Sequence, residues 1–316
     1  MIKYLIKRIF FAIITIFAVS IIIFSVIHMI PGDPVSALYG AELTQEEMEE
    51  VREYLGLNAP LPLQYFDWLK KILTFDLGTS LIRGDELSEL IGAAFPNTII
   101  LAVTSLIIGL LIAFPIGTIT ALKRGTAADV FLSGGAVLFI SFPTFWLAIL
   151  LILVFAVMFG ILPAGSYNIS VEQFWSWNYW RLLIMPSLAI GIPVAGRLIK
   201  IIRIEMIDNM GKEYVQLVRT KGAGEGRVIV FHILRNAMVA TSTIIGLTLA
   251  HLLGGVVIIE NVFGYPGIGK LLLESVMRRD YPTIQIIVMI FSLSFIIINL
   301  FVDIFYSVLD PRIRLE

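Results

Sequence analysis

Runs of apolar residues long enough to cross a bilayer alternate with shorter polar stretches along most of this chain. Residues 9–30, 95–122, 130–159, 182–202, 237–259 and 284–308 are the apolar runs, each holding about the 20 residues that a helix needs to traverse the hydrocarbon core. They predict an all-α, polytopic membrane protein in which residues 1–316 form one integral domain. Pro143 interrupts the third span, and Pro186 and Pro193 lie inside the fourth. Residues 31–94 are too polar for a span. Pro31 and Pro34 end the first helix, with Gly32 permitting the turn. Thr44 and Glu47 have the spacing of a capping box and start a helix that ends near Gly56. Beyond Pro60 and Pro62, the residues Leu63, Phe66, Leu69, Ile72 and Leu73 form one apolar face, which predicts a second helix lying at the membrane interface. Trp175, Trp177, Tyr179 and Trp180 sit in a short outer loop. They fit an interfacial aromatic belt, or a lid that touches a solute.

Composition supports this class. The hydrophobic share is 58% and the charged share 15%, against about 25% charged in soluble domains. A net charge of −1 leaves no nucleic-acid footprint. The absence of cysteine excludes disulfides and thiolate metal sites. Lys3, Lys7 and Arg8 precede the first span, so the N-terminus is expected in the cytoplasm. That span is too long for the apolar region of a cleaved signal peptide. Lys123, Arg124, Arg197, Lys200 and Arg203 mark the inner ends of later spans, and six spans return the C-terminus to the cytoplasm.

Residues 205–236 form the longest polar stretch of the second half. Lys212, Arg219, Lys221, Arg227 and Arg235 stand there among Glu205, Asp208, Glu213 and Glu225, a net-positive mixture that belongs on the cytoplasmic side. Tyr214, Val215 and Val218 recur at helical spacing beside Arg219 and Lys221, predicting a short amphipathic helix. Gly222, Ala223 and Gly224 break it, and a second helix starts near Glu225. Helix, glycine turn and helix together have the form of a docking handle for a soluble partner. A plain solvated loop is the alternative.

The string EYVQLVRTKGAGEGRVIVFHILRNA, which begins at Glu213, resembles the cytoplasmic EAA loop of ABC importer permeases. It is most similar to the dipeptide/oligopeptide branch, which includes nickel and glutathione systems. Glu213, Tyr214, Val215, Arg219, Lys221, Gly222, His232, Leu234, Arg235, Asn236 and Ala237 carry the match. Arg235 stands near the place where the general pattern has proline, as in the peptide branch. The strings PGDP at 31–34, DLGTS at 76–80, VFGYPGIG at 262–269, DYP at 280–282 and DPR at 310–312 follow in the family's order.

This resemblance implies a type I ABC importer permease-like fold with six transmembrane helices and cytoplasmic termini, multi-pass in a bacterial or archaeal inner membrane. It implies passage of di- or oligopeptides or a related small solute, delivered by an extracytoplasmic solute-binding protein. The implied partners are a second, homologous permease forming a heterodimer and two ATP-binding subunits. The latter are expected to dock on Glu213, Tyr214, Val215, Val218, Arg219, Lys221, Gly222 and Ala223. Tyr214, Val215 and Val218 would fill an apolar cleft on the ATPase, Arg219 and Lys221 would supply charge, and Gly222 the tight turn. No cofactor is expected in this chain. ATP and magnesium are used by the partner subunits, and the chain is not expected to be an enzyme.

Residues 264–270 match the first seven places of a phosphate-binding P-loop, but Leu271 stands where Ser or Thr would ligate magnesium. In the resembled family, the positions of Phe263, Pro266, Gly267 and Gly269 belong to an outer structural element. An outer gate, a plain turn and re-entrant packing all fit them. In span five, Thr241, Thr248, His251 and Gly255 share one helix face, which suits either helix packing or the wall of a translocation pathway. Glu260, at an outer edge, is assigned no special role. Asp303 is expected to pair with an arginine. The alternative function is an ion-gradient-driven carrier or channel, for which only His251 and Asp303 supply intramembrane charge.

Overall fold

The computed structural model describes residues 2–29, 44–54, 56, 58–165 and 174–309. The turn at 31–34 and the closing motif at 310–312 lie outside the described residues. Lipid offers backbone groups no hydrogen bonds, so each spanning segment satisfies its own N–H and C=O groups as a helix. The first is α1 (Ile2–Met29). Next, α2 (Gln45–Tyr54) opens with the predicted reciprocal cap. The Thr44 N–H donates to Glu47 Oε2 at 2.7 Å, and the Glu47 N–H to Thr44 Oγ1 at 3.4 Å. The Thr44 N–H chiefly holds the Glu47 carboxyl below its ordinary range. Then α3 (Leu61–Leu73) lies against α1, with the hydroxyls of Tyr65 and Ser20 2.9 Å apart. Leu63, Phe66 and Leu73 stay exposed.

Two proline-containing helices make the centre. The first, α4 (Leu87–Leu122), starts well before the span predicted at 95 and carries Pro96 and Pro115. The third predicted span is broken into α5 (Ala127–Ser141) and α6 (Thr144–Met158), bent by 98° where Pro143 intervenes. The second central helix, α7 (Trp177–Met210), contains Pro186 and Pro193 and is the most enclosed of the long helices. Trp175 and Trp177 are exposed, but Tyr179 is fully buried. Tyr179 therefore does not join the expected belt: it lies in the first turn of α7, its ring 5.5 Å from that of Phe174.

Glycines bring these helices together. A Cβ at Gly191 of α7 would stand 2.8 Å from the Ser105 carbonyl oxygen of α4. One at Gly109 would stand 2.8 Å from Val194, and one at Gly117 2.9 Å from Ile202. Close backbone approach of this kind is how small residues drive helix association in lipid. Thr104 and Ser187 add a hydroxyl pair at 2.9 Å between the two helices. On the other flank of α7, Gly196 faces the Ala136 carbonyl of α5. Arg203 grips Asp129 of α5 through both carboxylate oxygens, at 2.9 and 2.7 Å.

The remaining elements are α8 (Glu213–Thr220), the long α9 (Glu225–Gly255), α10 (Val257–Phe263), α11 (Ile268–Arg278) and α12 (Tyr281–Leu309). Val228–Leu234 within α9 widens to a π-helix. Asp303 of α12 pairs with Arg8 of α1 at 2.9 Å, as expected.

The glycine contacts generate a sign test. Alanine favours a helix over glycine by about 1 kcal/mol. Gly92→Ala, where the added Cβ meets open space, should hold or raise the melting temperature of the purified protein. Gly191→Ala should lower it by the equivalent of about 1–3 kcal/mol, because the obstructing atom is backbone. Thermal unfolding in detergent reads both.

Candidate functional site

The docking stretch is a compact hook on the end of α7. Gly211 and Lys212 turn the chain into α8, which packs on the π-helical stretch of α9. Val215 is fully buried, while Tyr214 and Val218 are half-buried and pack on the main core together with Ala223. The Tyr214 hydroxyl donates to Asn209 Oδ1 of α7 at 3.0 Å, and its oxygen lies 3.4 Å from the His232 carbonyl of α9. Val228 and Ile233 of α9 are fully buried in the same cluster. Gly222 closes α8 with φ +81°, a left-handed conformation that glycine adopts without strain. Beyond it, Arg219 Nε bonds Glu225 Oε1 at 2.9 Å across the turn.

Val215 is enclosed by its own chain, and Tyr214 and Val218 are partly covered by it, so all three help to anchor the hook. The face left outside carries Glu213, Gln216, Leu217, Arg219, Thr220 and Lys221, all exposed, with Leu217 55% exposed. Leu217 is two residues from Val215, about 200° around a helix, so it points away as Val215 points in. That signal was present in the periodicity. Next to the hook, a cavity of about 910 Å³ is bordered by Arg227, Val230, Phe231, His232, Arg235 and Asn236.

The residues expected along a pathway fall into two groups. Thr241 is fully buried in the chain. Thr248 is half-buried, and His251 and Gly255 are exposed. Thr241, Thr248 and His251 each engage a carbonyl one turn earlier in α9.

At the far end of α9 lies a structure that sequence reasoning missed. Glu260 is fully buried. It accepts from Thr98 Oγ1 of α4 at 2.6 Å, and from the N–H groups of Gly269 and Lys270 at 2.8 and 3.0 Å. The Ile268 N–H donates to Thr98 Oγ1 at 2.8 Å. The first three N–H groups of α11, unpaired in any isolated helix, are thus capped from two other helices. Here the resemblance to a P-loop gains a physical meaning: the anion at this helix N-terminus is the chain's own carboxylate. A Cβ at Gly267 would overlap that carboxylate. Burial pushes the Glu260 carboxyl up to about 7, against the Thr98, Lys270 and Gly269 hydrogen bonds that favour its charged form. Phe263 is fully buried, Gly267 and Gly269 are buried and Pro266 is half-buried, so all four lie within packed structure. The DLGTS and DYP strings also meet: Ser80 Oγ donates to Asp280, which accepts from Thr283 as well.

Comparison with known proteins gives a consistent result. Residues 113–315 match the family described as binding-protein-dependent transport system inner membrane component, and residues 1–102 match its N-terminal counterpart. The chain is 38% identical over 314 residues to the glutathione transport system permease protein GsiC of Escherichia coli, with 99% of each chain covered. The same figures hold for the protein of that name from Salmonella typhimurium. In fold, the chain is similar to the crystal structure of an amino acid ABC transporter with histidines, at a TM-score of 0.52 and 18% identity, covering 71% of this chain and 94% of that one.

The hook's turn is open to direct test. Gly222→Val forces a β-branched residue into the left-handed region, at a cost of about 1–2 kcal/mol, whereas Asn tolerates it. Trypsin should cut at Arg219 or Lys221 roughly tenfold faster in Gly222→Val than in wild type, with Gly222→Asn close to wild type. Peptide mapping identifies the cut.

Proposed function

Because this chain belongs to the family of binding-protein-dependent transport system inner-membrane components and is the membrane-spanning permease of an ABC importer, we propose that its solute is a di- or oligopeptide or a small peptide-like molecule such as glutathione. It is a multi-pass inner-membrane protein, a transport component that works with ATP-binding and solute-binding partners. In the proposed assembly it pairs with a second, homologous permease. Two ATP-binding subunits hold ATP and magnesium, so this chain carries neither. An extracytoplasmic binding protein delivers the solute. The lysines and arginines of 205–236 support placing the hook, and both termini, in the cytoplasm.

The observation that carries the mechanism is the two-sided hook. Its outer face, with Leu217, Arg219 and Lys221 exposed, meets the ATPase. Its inner face, with Val215 buried and Tyr214 bonded to Asn209, joins that contact to α7 and α9. When ATP closes the partner subunits, the push on α8 is delivered to both helices, and the solute path exchanges inward for outward access. His251 and Gly255, exposed on α9, and Thr248 beside them are the proposed pathway wall on this chain. Phe263, Pro266, Gly267 and Gly269 belong to the element proposed to gate its outer end.

The test is reconstitution with ATP-binding subunits. Leu217→Asp with Arg219→Glu should weaken ATPase association by about 2 kcal/mol, roughly 30-fold, while the permease stays folded. Affinity equal to wild type would reject the outer face as the docking surface.

A further inference from the structure

The importer assignment leaves Glu260 without a task. A buried carboxylate is costly unless fully satisfied, and a helix N-terminus is ordinarily capped by a local Ser, Thr, Asp or Asn. Here the residue at the N-cap is Gly267, whose lack of a side chain leaves it nothing to cap with. The cap comes from Glu260 of α10 and Thr98 of α4, two residues 162 positions apart in sequence.

We propose that Glu260 is a positioning residue for transport: its carboxylate, held by Thr98 and the first-turn N–H groups of α11, is the tie that delivers movement of α9 to α11. The tie rests on the importer assignment above. Three features support it. First, α9 is continuous from Glu225, beside the hook, to Gly255, and only Val256 separates it from α10. A helix of that length spans about 45 Å, so a displacement at the hook is carried along α9 to the turn at Val256 that leads into α10. Second, Gly267 and Gly269 leave just enough room for the carboxylate, since a Cβ at either would crowd its oxygens. The chain is built around this contact.

Third, α11 has an independent anchor. The Tyr265 hydroxyl donates to the Asn97 carbonyl at 2.9 Å, Asn97 Nδ2 donates to the Pro266 carbonyl at 2.9 Å, and the Ile268 N–H donates to Thr98. These bonds hold residues 265–268 on α4 without Glu260. Loss of the carboxylate therefore removes the side-chain bonds between α10 and the first turn of α11, leaving the Tyr265 N–H to Glu260 carbonyl bond and the seat on α4 in place. A mere structural cap would have no such consequence for coupling.

Glu260→Gln makes the distinction. Its carbonyl still accepts from Thr98, but its amide turns donors toward the N–H groups of Gly269 and Lys270, so two charge-assisted bonds are lost. The chain has no cysteine, and Met277 on α11 is 78% exposed, so labelling of this chain in Met277→Cys reports on α11. The full complex with ATP-binding subunits is treated with a water-soluble maleimide, with and without ATP, and the labelling rate is compared with ATP hydrolysis.

In the Met277→Cys background, ATP should change the rate. Adding Glu260→Gln should cut that ATP-dependent change at least about fivefold while hydrolysis continues. An unchanged ATP response in Glu260→Gln, or no response in the parent complex despite hydrolysis, overturns the proposal. Should Glu260→Gln fail to assemble, Glu260→Asp is read in the same way. A partial response supports the tie and a full one overturns it. If neither variant assembles, Glu260 serves folding alone and the proposal fails. Failure of the parent chain to bind any ATP-binding subunit is a different result, and it would strike the importer assignment itself.

Discussion

Two helix backbones touching inside lipid set the geometry of everything else in this chain. There is no hydrophobic drive to press helices together in a bilayer, so association depends on how closely they pack. The glycines at 109, 117 and 191 let α4 and α7 approach until a single added carbon would strike the opposing backbone or a branched side chain. From that seam, Arg203 reaches Asp129 to hold α5, and the end of α7 carries the hook. At the other end of α9, α4 supplies Asn97 and Thr98 to receive the segment beyond α10. The central pair is thus a frame, and α9 is attached to it by apolar packing along its length, with polar contacts added towards its two ends.

Those polar contacts differ in kind at the two ends. At the hook, an apolar anchor centred on Val215 is supplemented by a tyrosine hydroxyl, and the exterior of α8 is left polar apart from Leu217. An exposed leucine with Thr220 and Lys221 one turn away suits the proposed docking of a soluble partner through an apolar pocket. At the Glu260 end, by contrast, every strong hydrogen bond is internal. This division fits a subunit that receives force at one end and rearranges its own elements at the other.

Much of this was legible in the residues. Apolar runs located the long apolar helices because bilayer thickness dictates their length, and helical periodicity located α8. Which way α8 faces was not legible from Tyr214, Val215 and Val218 alone. An amphipathic helix buries its apolar side against whatever is available, and here its own chain provides Val228 and Ile233. Leu217, on the opposite side, was the overlooked clue. Glu260 escaped notice because its partners are far away in sequence and its setting looked like a loop edge. The pairing of Ser80 with Asp280 was hidden for the same reason, although both motifs had been picked out separately. The bend at Pro143 was foreseeable, but its size of 98° was not.

The central claim, that the hook faces outward through Leu217 while Val215 fastens it to the permease, has a direct measurement in this cysteine-free chain. Single cysteines are placed at Leu217 and at Val215, and membranes containing the assembled transporter are treated with a short thiol-to-amine cross-linker. The account predicts a cross-linked product with the ATP-binding subunit from position 217 and none from position 215. A product from 215 with none from 217 would contradict it, turning the hook over and reassigning which of its faces carries the force of ATP binding.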